Sequence, residues 1–222
     1  MQAMILAAGK GARMMPLSLH TPKPLLQVGG KPLLQYHIES LVAASVDKIV
    51  INTGRLGEMI QAWFREGDSF GVHIHYSHEG DEPLGTGGGI RKALPLLGDA
   101  PFILVNGDIW TEFDYRSLPA YPGGLAHLIM VDNPPHNSGG DFALTDGLLS
   151  TTGQTLQTYS GIGVYDPQIF SGTNPQLFSL VPLLKQAMLN QQVSGQYFKG
   201  RWFDIGTPER LIQLDSLLAT RS

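Results

Sequence analysis

Short apolar runs mark the first half of the chain at residues 3–8, 48–52 and 102–106, with a fourth at 125–131. Each is short for a helix and bounded by Gly, Pro or polar residues, which predicts buried strands. Between the first three runs, residues 32–44, 57–65 and 87–97 carry apolar side chains at helical spacing. Pro32 fits a first helical turn, where a missing N–H goes unnoticed. Strands apolar on both faces, alternating with helices, indicate a mostly parallel sheet covered by helices.

From about residue 125 the pattern changes. Residues 125–131, 141–144 and 156–165 read as longer, partly antiparallel strands joined by Gly, Pro and Asn. Residues 177–190 and 208–219 close the chain as helices. No repeat, low-complexity tail or linker divides it, so the expectation is a single α/β domain over 1–222, with halves meeting near residue 110.

Composition narrows the function classes. Apolar residues at 42% against 15% charged exclude a disordered chain. Lys and Arg number 15 and Asp and Glu 19, and the resulting charge of −4 argues against a nucleic-acid partner. The absence of cysteine excludes disulfides, cysteine-held zinc, iron–sulfur clusters and a thiol nucleophile. No stretch reaches the length of a membrane span, and the run at 3–8 is short for a signal-peptide core. A soluble cytoplasmic protein without a membrane partner is expected. The 27 Gly and 15 Pro suit many shaped loops.

The most distinctive loop follows the first strand: Leu6-Ala7-Ala8-Gly9-Lys10-Gly11-Ala12-Arg13-Met14. Open α/β sheets bind ligands beyond the carboxyl ends of their strands, and glycines let backbone N–H groups approach a phosphate. Met14 stands where a dinucleotide fingerprint needs its third glycine, and neither Lys10 nor Lys31 has Walker-loop neighbours. A phosphate cradle and a plain glycine-rich turn both fit Gly9-x-Gly11. Downstream, Lys23 lies between Pro22 and Pro24, a stiff and extended setting for aiming a point charge at an anion. Arg13 offers a planar fork for phosphate oxygens.

Asp108 ends the apolar strand at 102–106, and Asp204 follows Trp202-Phe203 just before the last helix, 96 residues later. Each could ligate a metal or cap the next helix. Glu82-Pro83-Leu84-Gly85-Thr86 precedes three consecutive glycines, which are costly at a helix start unless something approaches the backbone closely. Thr86 is placed to cap that helix. His73 and His75 share one strand face, while His78 is expected beyond a turn, so the three read as half-exposed strand residues. Trp63, Phe64 and Phe70 read as packing anchors, and core packing accounts for Met14 and Met15.

The run LAAGKGARMMPL…TPKPLLQVGGKPLLQYHIESL, within residues 4–41, resembles the opening signature of the sugar-1-phosphate nucleotidyltransferases, and further matches reach Leu211. Members transfer a nucleotidyl group from a nucleoside triphosphate to a sugar 1-phosphate and release pyrophosphate. The resemblance implies a Rossmann-like domain with a mixed, mostly parallel sheet, its nucleotide-binding half over about 1–110 and its sugar-binding half over about 111–222. By the same resemblance, Ala8, Gly9, Gly11, Ala12 and Arg13 hold the triphosphate, and Lys23 meets phosphate at the reacting centre. Asp108 and Asp204 fall in the motifs that ligate Mg²⁺, and Arg13, Lys23 and Asp108 carry catalysis. Glu82 and Gly87 are implied at the base; Asn106, Asp141, Ser160 and Gly161 at the sugar.

Two departures shape the specificity. Many relatives have Gln at the place of Glu82, and a carboxylate accepts the N3–H of uracil or the N1–H of guanine, leaving UTP, dTTP and GTP open. Many also carry a Glu-Lys-Pro segment where residues 145–159 here contain no lysine, which speaks against glucose 1-phosphate. The chain ends one helix beyond Asp204, without the left-handed β-helix that adds a second activity in some relatives. EPLGTGGG, VNGDIWT, DNPPH, GGDF and YSGIGVY together resemble the subfamily of uridylyltransferases acting on N-acetylmuramic acid 1-phosphate in bacterial cell-wall recycling. UTP and that sugar phosphate are therefore the expected substrates of a monomer or weak homo-oligomer. Mannose 1-phosphate with GTP, glucose 1-phosphate with UTP or dTTP, and a silent sugar-nucleotide sensor are the alternatives. Retention of Arg13, Lys23, Asp108 and Asp204 argues against the sensor.

Overall fold

A computed structural model describes residues 1–219. Strand β1 (Gln2–Leu6) runs into the glycine loop, a short hairpin of β2 (Gln27–Val28) and β3 (Lys31–Pro32), and helix α1 (Leu33–Ala43). Then come β4 (Lys48–Thr53), α2 (Gly57–Phe64), β5 (His73–His78), α3 (Gly85–Leu97), β6 (Phe102–Asn106) and β7 (Ile109–Thr111). The second half adds β8 (Ala126–Val131), β9 (Ala143–Thr145), β10 (Leu148–Ser150), β11 (Thr158–Tyr165) and α4 (Val181–Leu189). It ends with β12 (Val193–Tyr197), β13 (Trp202–Asp204) and α5 (Pro208–Ala219).

Nine strands form one mixed sheet in the order β5-β4-β1-β6-β11-β8-β12-β10-β9. β5, β4, β1 and β6 are mutually parallel, so their carboxyl ends share one rim. β11 enters antiparallel between β6 and β8 and joins the halves into one sheet. Alternation along β1 sends Met4 and Ile5 to opposite faces. Ile5 packs with Ile38, Leu41 and Phe64, and Met4 with Ile90, Leu97 and Leu184. A third cluster joins Met14, Val28, Trp110, Ile205 and Leu214, fastening the glycine loop and α5 together. Truncating a buried member such as Ile5 to Ala should cost about 2–5 kcal/mol.

Several boundaries differ from the sequence expectation by a few residues, three of them for identifiable reasons. β1 stops at Leu6 because the Ala7 amide leaves the ladder and donates to Asn52 Oδ1 at 2.7 Å. Pro32 stays extended (φ −56°, ψ 143°) as the cap before α1. The helix expected over 177–190 begins only at Val181, because residues 176–178 are committed to α3: Phe178 N–H donates to Leu84 carbonyl, and Phe178 carbonyl accepts from Gly87 and Gly88.

Candidate active site

Beyond the carboxyl ends of the parallel strands lies a cavity of about 360 Å³, within the size range of small-molecule sites. Ala8, Gly9, Gly11, Ala12, Arg13, Lys23, Asn106 and Asp108 all line it. Gly11 adopts φ +63°, a left-handed turn that glycine enters without Cβ strain. Its carbonyl accepts from Met14 N–H and Ser18 Oγ, both at 2.8 Å, and Arg55 Nη2 in turn donates to Ser18 carbonyl at 2.8 Å. Met14 is buried beneath the loop, whereas Met15 is half exposed.

Lys23 does not lie on extended chain throughout: after extended Pro22 it opens a single 3₁₀ turn, Lys23–Leu25. Pro24 sits in that first turn, where no N–H is required. The Lys23 side chain is 10% exposed, and Nζ donates to Asp108 Oδ2 at 2.6 Å. Gly107 precedes Asp108 because a Cβ there would lie 2.6 Å from the Leu6 carbonyl oxygen.

The gap between the two acidic motifs is closed by a two-stranded antiparallel ribbon, β13 on β7, in which Asp204 pairs with Ile109. Ile205 N–H donates to Asp108 carbonyl at 2.7 Å, which puts the two aspartates on neighbouring backbone. Asp204 does not line the cavity, though Gly206 does. Its Oδ1 lies 2.9 Å from His136 Nε2, and its Oδ2 is bonded by Arg210. Carboxylate oxygens are hard donors of the kind Mg²⁺ takes, and the backbone pairing brings two of them, Asp108 and Asp204, to one place. Among the described residues no group of three or more His, Cys, Asp or Glu side chains could hold a metal by itself.

The loop expected at the base is arranged differently. Glu82 is 85% exposed and pairs with Lys10 at 2.7 Å, outside the cavity lining. Gly87 lies under the Phe178 ring, Gly88 under the Gln176 carbonyl and Gly89 against Glu79, so the close approach inferred for the triple glycine comes from the chain itself. Thr86 does not cap α3, which starts one residue earlier; its Oγ1 accepts from Leu180 N–H at 2.9 Å. Asn52, Glu79, Gly85 and Thr86 line the cavity and are not among the site residues expected from sequence. Asn52 Nδ2 donates to Glu79 Oε1 at 2.5 Å, and Glu79 Oε2 accepts from Leu84 N–H at 2.7 Å. A relay from Ala7 through Asn52 and Glu79 thus braces α3 against the glycine loop. Buried polar residues at strand ends were the available signal.

In the second half, Gly161 at φ +82° admits Asn106, whose Nδ2 would lie 2.5 Å from a Cβ there. This irregularity falls between Tyr159 and Gly163, where the β11–β8 register shifts. Ser160 is buried; its Oγ accepts from Ile162 N–H at 3.2 Å, and its carbonyl from Trp202 Nε1 at 2.9 Å. Asp141 Oδ2 accepts from Tyr159 N–H at 2.8 Å and Asn137 Nδ2 at 3.3 Å. Gly161 thus sits against Asn106, with Ser160 next to it in the chain and Asp141 fastened one residue further back at Tyr159; none of the three lines the cavity. His78 belongs to β5 and leaves the face of His73 and His75 by strand alternation, with no turn between. Phe64 is a buried anchor, but Trp63 is 51% exposed.

No helix of the described residues is long and apolar enough to cross a membrane. The structure resembles that of a protein from Bacillus anthracis assigned as a glucose-1-phosphate thymidylyltransferase, with TM-score 0.85 and 20% identity over 98% of this chain and 95% of that one. The N-acetylmuramate alpha-1-phosphate uridylyltransferase of Neisseria meningitidis is 45% identical over 98% of both chains. Its namesake from Caulobacter vibrioides is 33% identical, covering 98% of this chain and 96% of the relative. The nucleotidyl transferase family profile matches residues 2–121, and with that match the chain belongs to the nucleotidyl transferase family.

Proposed function

We propose that this protein transfers a uridylyl group from UTP to N-acetylmuramic acid 1-phosphate, giving the UDP-sugar and pyrophosphate in the reuse of cell-wall sugar. The observation that carries the reading is the Lys23–Asp108 pair at the cavity edge, with Asp204 delivered to the adjoining backbone by the β7–β13 ribbon. The two full-length relatives named for this activity support the choice of substrates.

An oxygen of the acceptor phosphate attacks the α-phosphorus of UTP. The bond from that phosphorus to the oxygen bridging to the β-phosphorus breaks, and pyrophosphate leaves with the electron pair. A phosphate monoester has its second pKa at about 6, so the nucleophile is ionised at pH 7 and needs no general base. Arg13 and the glycine-loop amides hold the triphosphate, aligning two anions that repel each other. Lys23, nearly buried, sets its charge where negative charge builds on the transferring phosphoryl group. Asp108 and Asp204 would hold Mg²⁺, which supplies Lewis-acid polarisation of phosphate oxygens when bound. Glu79, braced at the cavity wall, and Glu82, which precedes the lining residue Pro83, are the carboxylates considered for the base.

Pyrophosphate release over a grid of nucleoside triphosphates and sugar 1-phosphates with Mg²⁺ tests the reading. UTP with N-acetylmuramic acid 1-phosphate is expected to give the highest kcat/KM. A higher value for GTP with mannose 1-phosphate would overturn the substrate assignment, and inactivity across the grid would favour a sensor.

A further inference from the structure

Arg210 and His136 converge on one carboxylate from separate parts of the chain. Arg210, in the first turn of α5, donates from Nη1 to Asp204 Oδ2 and lies 3.0 Å from His136 Nε2, while His136 Nε2 lies 2.9 Å from Asp204 Oδ1. The guanidinium also lies flat against Gly206, where a Cβ would be 2.7 Å from Nη2. Because Gly206 lines the cavity, Arg210 reaches its edge. Its side chain is only 19% exposed, which strengthens its pull on any anion that arrives there. His136 stands on the segment leading to Asp141, whose carboxylate is fastened to Tyr159 N–H on β11. Asn137, the residue after His136, also donates to Asp141 at 3.3 Å, so the Arg210–His136 pair adjoins both Gly206 of the cavity lining and the segment expected at the sugar. Residues 145–159 meanwhile offer no lysine for an acceptor phosphate.

We propose that Arg210 and His136 bind the 1-phosphate of the acceptor sugar, exchanging Asp204 for that anion once the donor nucleotide is in place. The inference rests on the nucleotidyl-transfer reading and adds two residues to it. Arg210 and His136 now occupy both oxygens of Asp204, so a divalent cation that draws one oxygen to itself frees donor capacity beside it, and the next anion to enter there is the acceptor phosphate. The exchange keeps each charge paired through the cycle and favours donor before acceptor.

Steady-state kinetics with UTP and N-acetylmuramic acid 1-phosphate separate this from a merely structural role. Arg210→Met should raise the acceptor KM about 10- to 100-fold, as expected for a lost charge-assisted hydrogen bond, with the UTP KM within about threefold of wild type. His136→Ala should act in the same direction, and Arg210→Lys should recover much of the loss. Calorimetry without divalent cation gives a readout independent of turnover: Asp204→Asn should bind inorganic phosphate more tightly than wild type, and adding Arg210→Met should abolish that gain. An effect confined to kcat, or an equal rise in both KM values, would overturn the proposal and leave Arg210 as a residue that positions Asp204. Wild-type protein inactive on every sugar 1-phosphate would instead overturn the functional reading, and this inference with it.

Discussion

The two halves of the sheet build their shares of the site by different means. In the first half, loops at the ends of adjacent parallel strands wall the cavity, and the Lys23–Asp108 pair joins two of them across 85 residues. In the second half, single polar contacts tie separate segments together outside the cavity lining: the Arg210 side chain meets that of His136, and Trp202 Nε1 donates to the Ser160 backbone carbonyl. The first arrangement stands directly on the ends of β1, β4 and β6, whose side chains are buried on both faces of the sheet. The second depends on a few polar links, which makes it the half where substitutions can retune acceptor choice without unfolding the nucleotide site.

The largest effect should come from the reacting centre of the first half. Lys23→Met should lower turnover about 10²- to 10³-fold, the scale of losing a preorganised charge, while the melting temperature falls by only a few degrees. A comparable loss of stability would mean that the ion pair with Asp108 is structural.

Next in size is a pH effect at the junction of the halves. His37 is fully buried; its Nε2 lies 2.8 Å from the Ile109 carbonyl on β7, and its Nδ1 3.1 Å from Tyr115 hydroxyl. Burial pushes the imidazole down to about 4 from 6.5, against the opposing pull of that carbonyl and of Asp108. Below pH 6.5 the unfolded chain takes up a proton that the folded one resists, so this contribution is present above pH 6.5 and is lost as pH falls toward 4. The loss should approach about 3 kcal/mol. Urea midpoints measured against pH should show it, and His37→Gln should flatten the slope.

The glycines sharpen the comparison further. Gly161→Ala combines a positive φ with a Cβ 2.5 Å from Asn106 Nδ2, whereas at Gly11 the nearest atom, Ser18 Cβ, is 3.1 Å away. Gly161→Ala should cost about 2–3 kcal/mol and raise the acceptor KM; Gly11→Ala should cost about 1–2 kcal/mol and raise the UTP KM. Equal effects on both KM values would erase the proposed division of labour. Smallest of all, Glu82→Gln breaks an exposed pair with Lys10 and should change stability by less than about 1 kcal/mol in denaturant titrations.

How much was legible in the sequence follows the same division. The parallel strands and their helices could be read because apolar period is a local signal, whereas glycine spacing alone left the loop from Ala8 to Arg13 open between a phosphate cradle and a plain turn, and only the family resemblance chose between them. Lys23 and Asp108 each sit at the end of such a signal, and the structure joins them. The shortening of the helix expected over 177–190 was hidden, because it depends on Phe178 packing on glycines of α3. Glu79 carries no sequence signal of its own, since only the tertiary contact with Asn52 shows that this carboxylate is buried. The ribbon that brings Asp204 beside Asp108 has three residues on each strand, too short to announce itself by pattern.

The central claim is that Asp108 and Asp204 organise one reacting centre, and a double-mutant cycle tests it most directly. Turnover is measured for Asp108→Asn, Asp204→Asn and the double variant under saturating UTP and sugar 1-phosphate. Residues acting as a unit give a double variant little worse than the worse single one. Losses that multiply would contradict the account, because they would assign the two carboxylates to independent tasks.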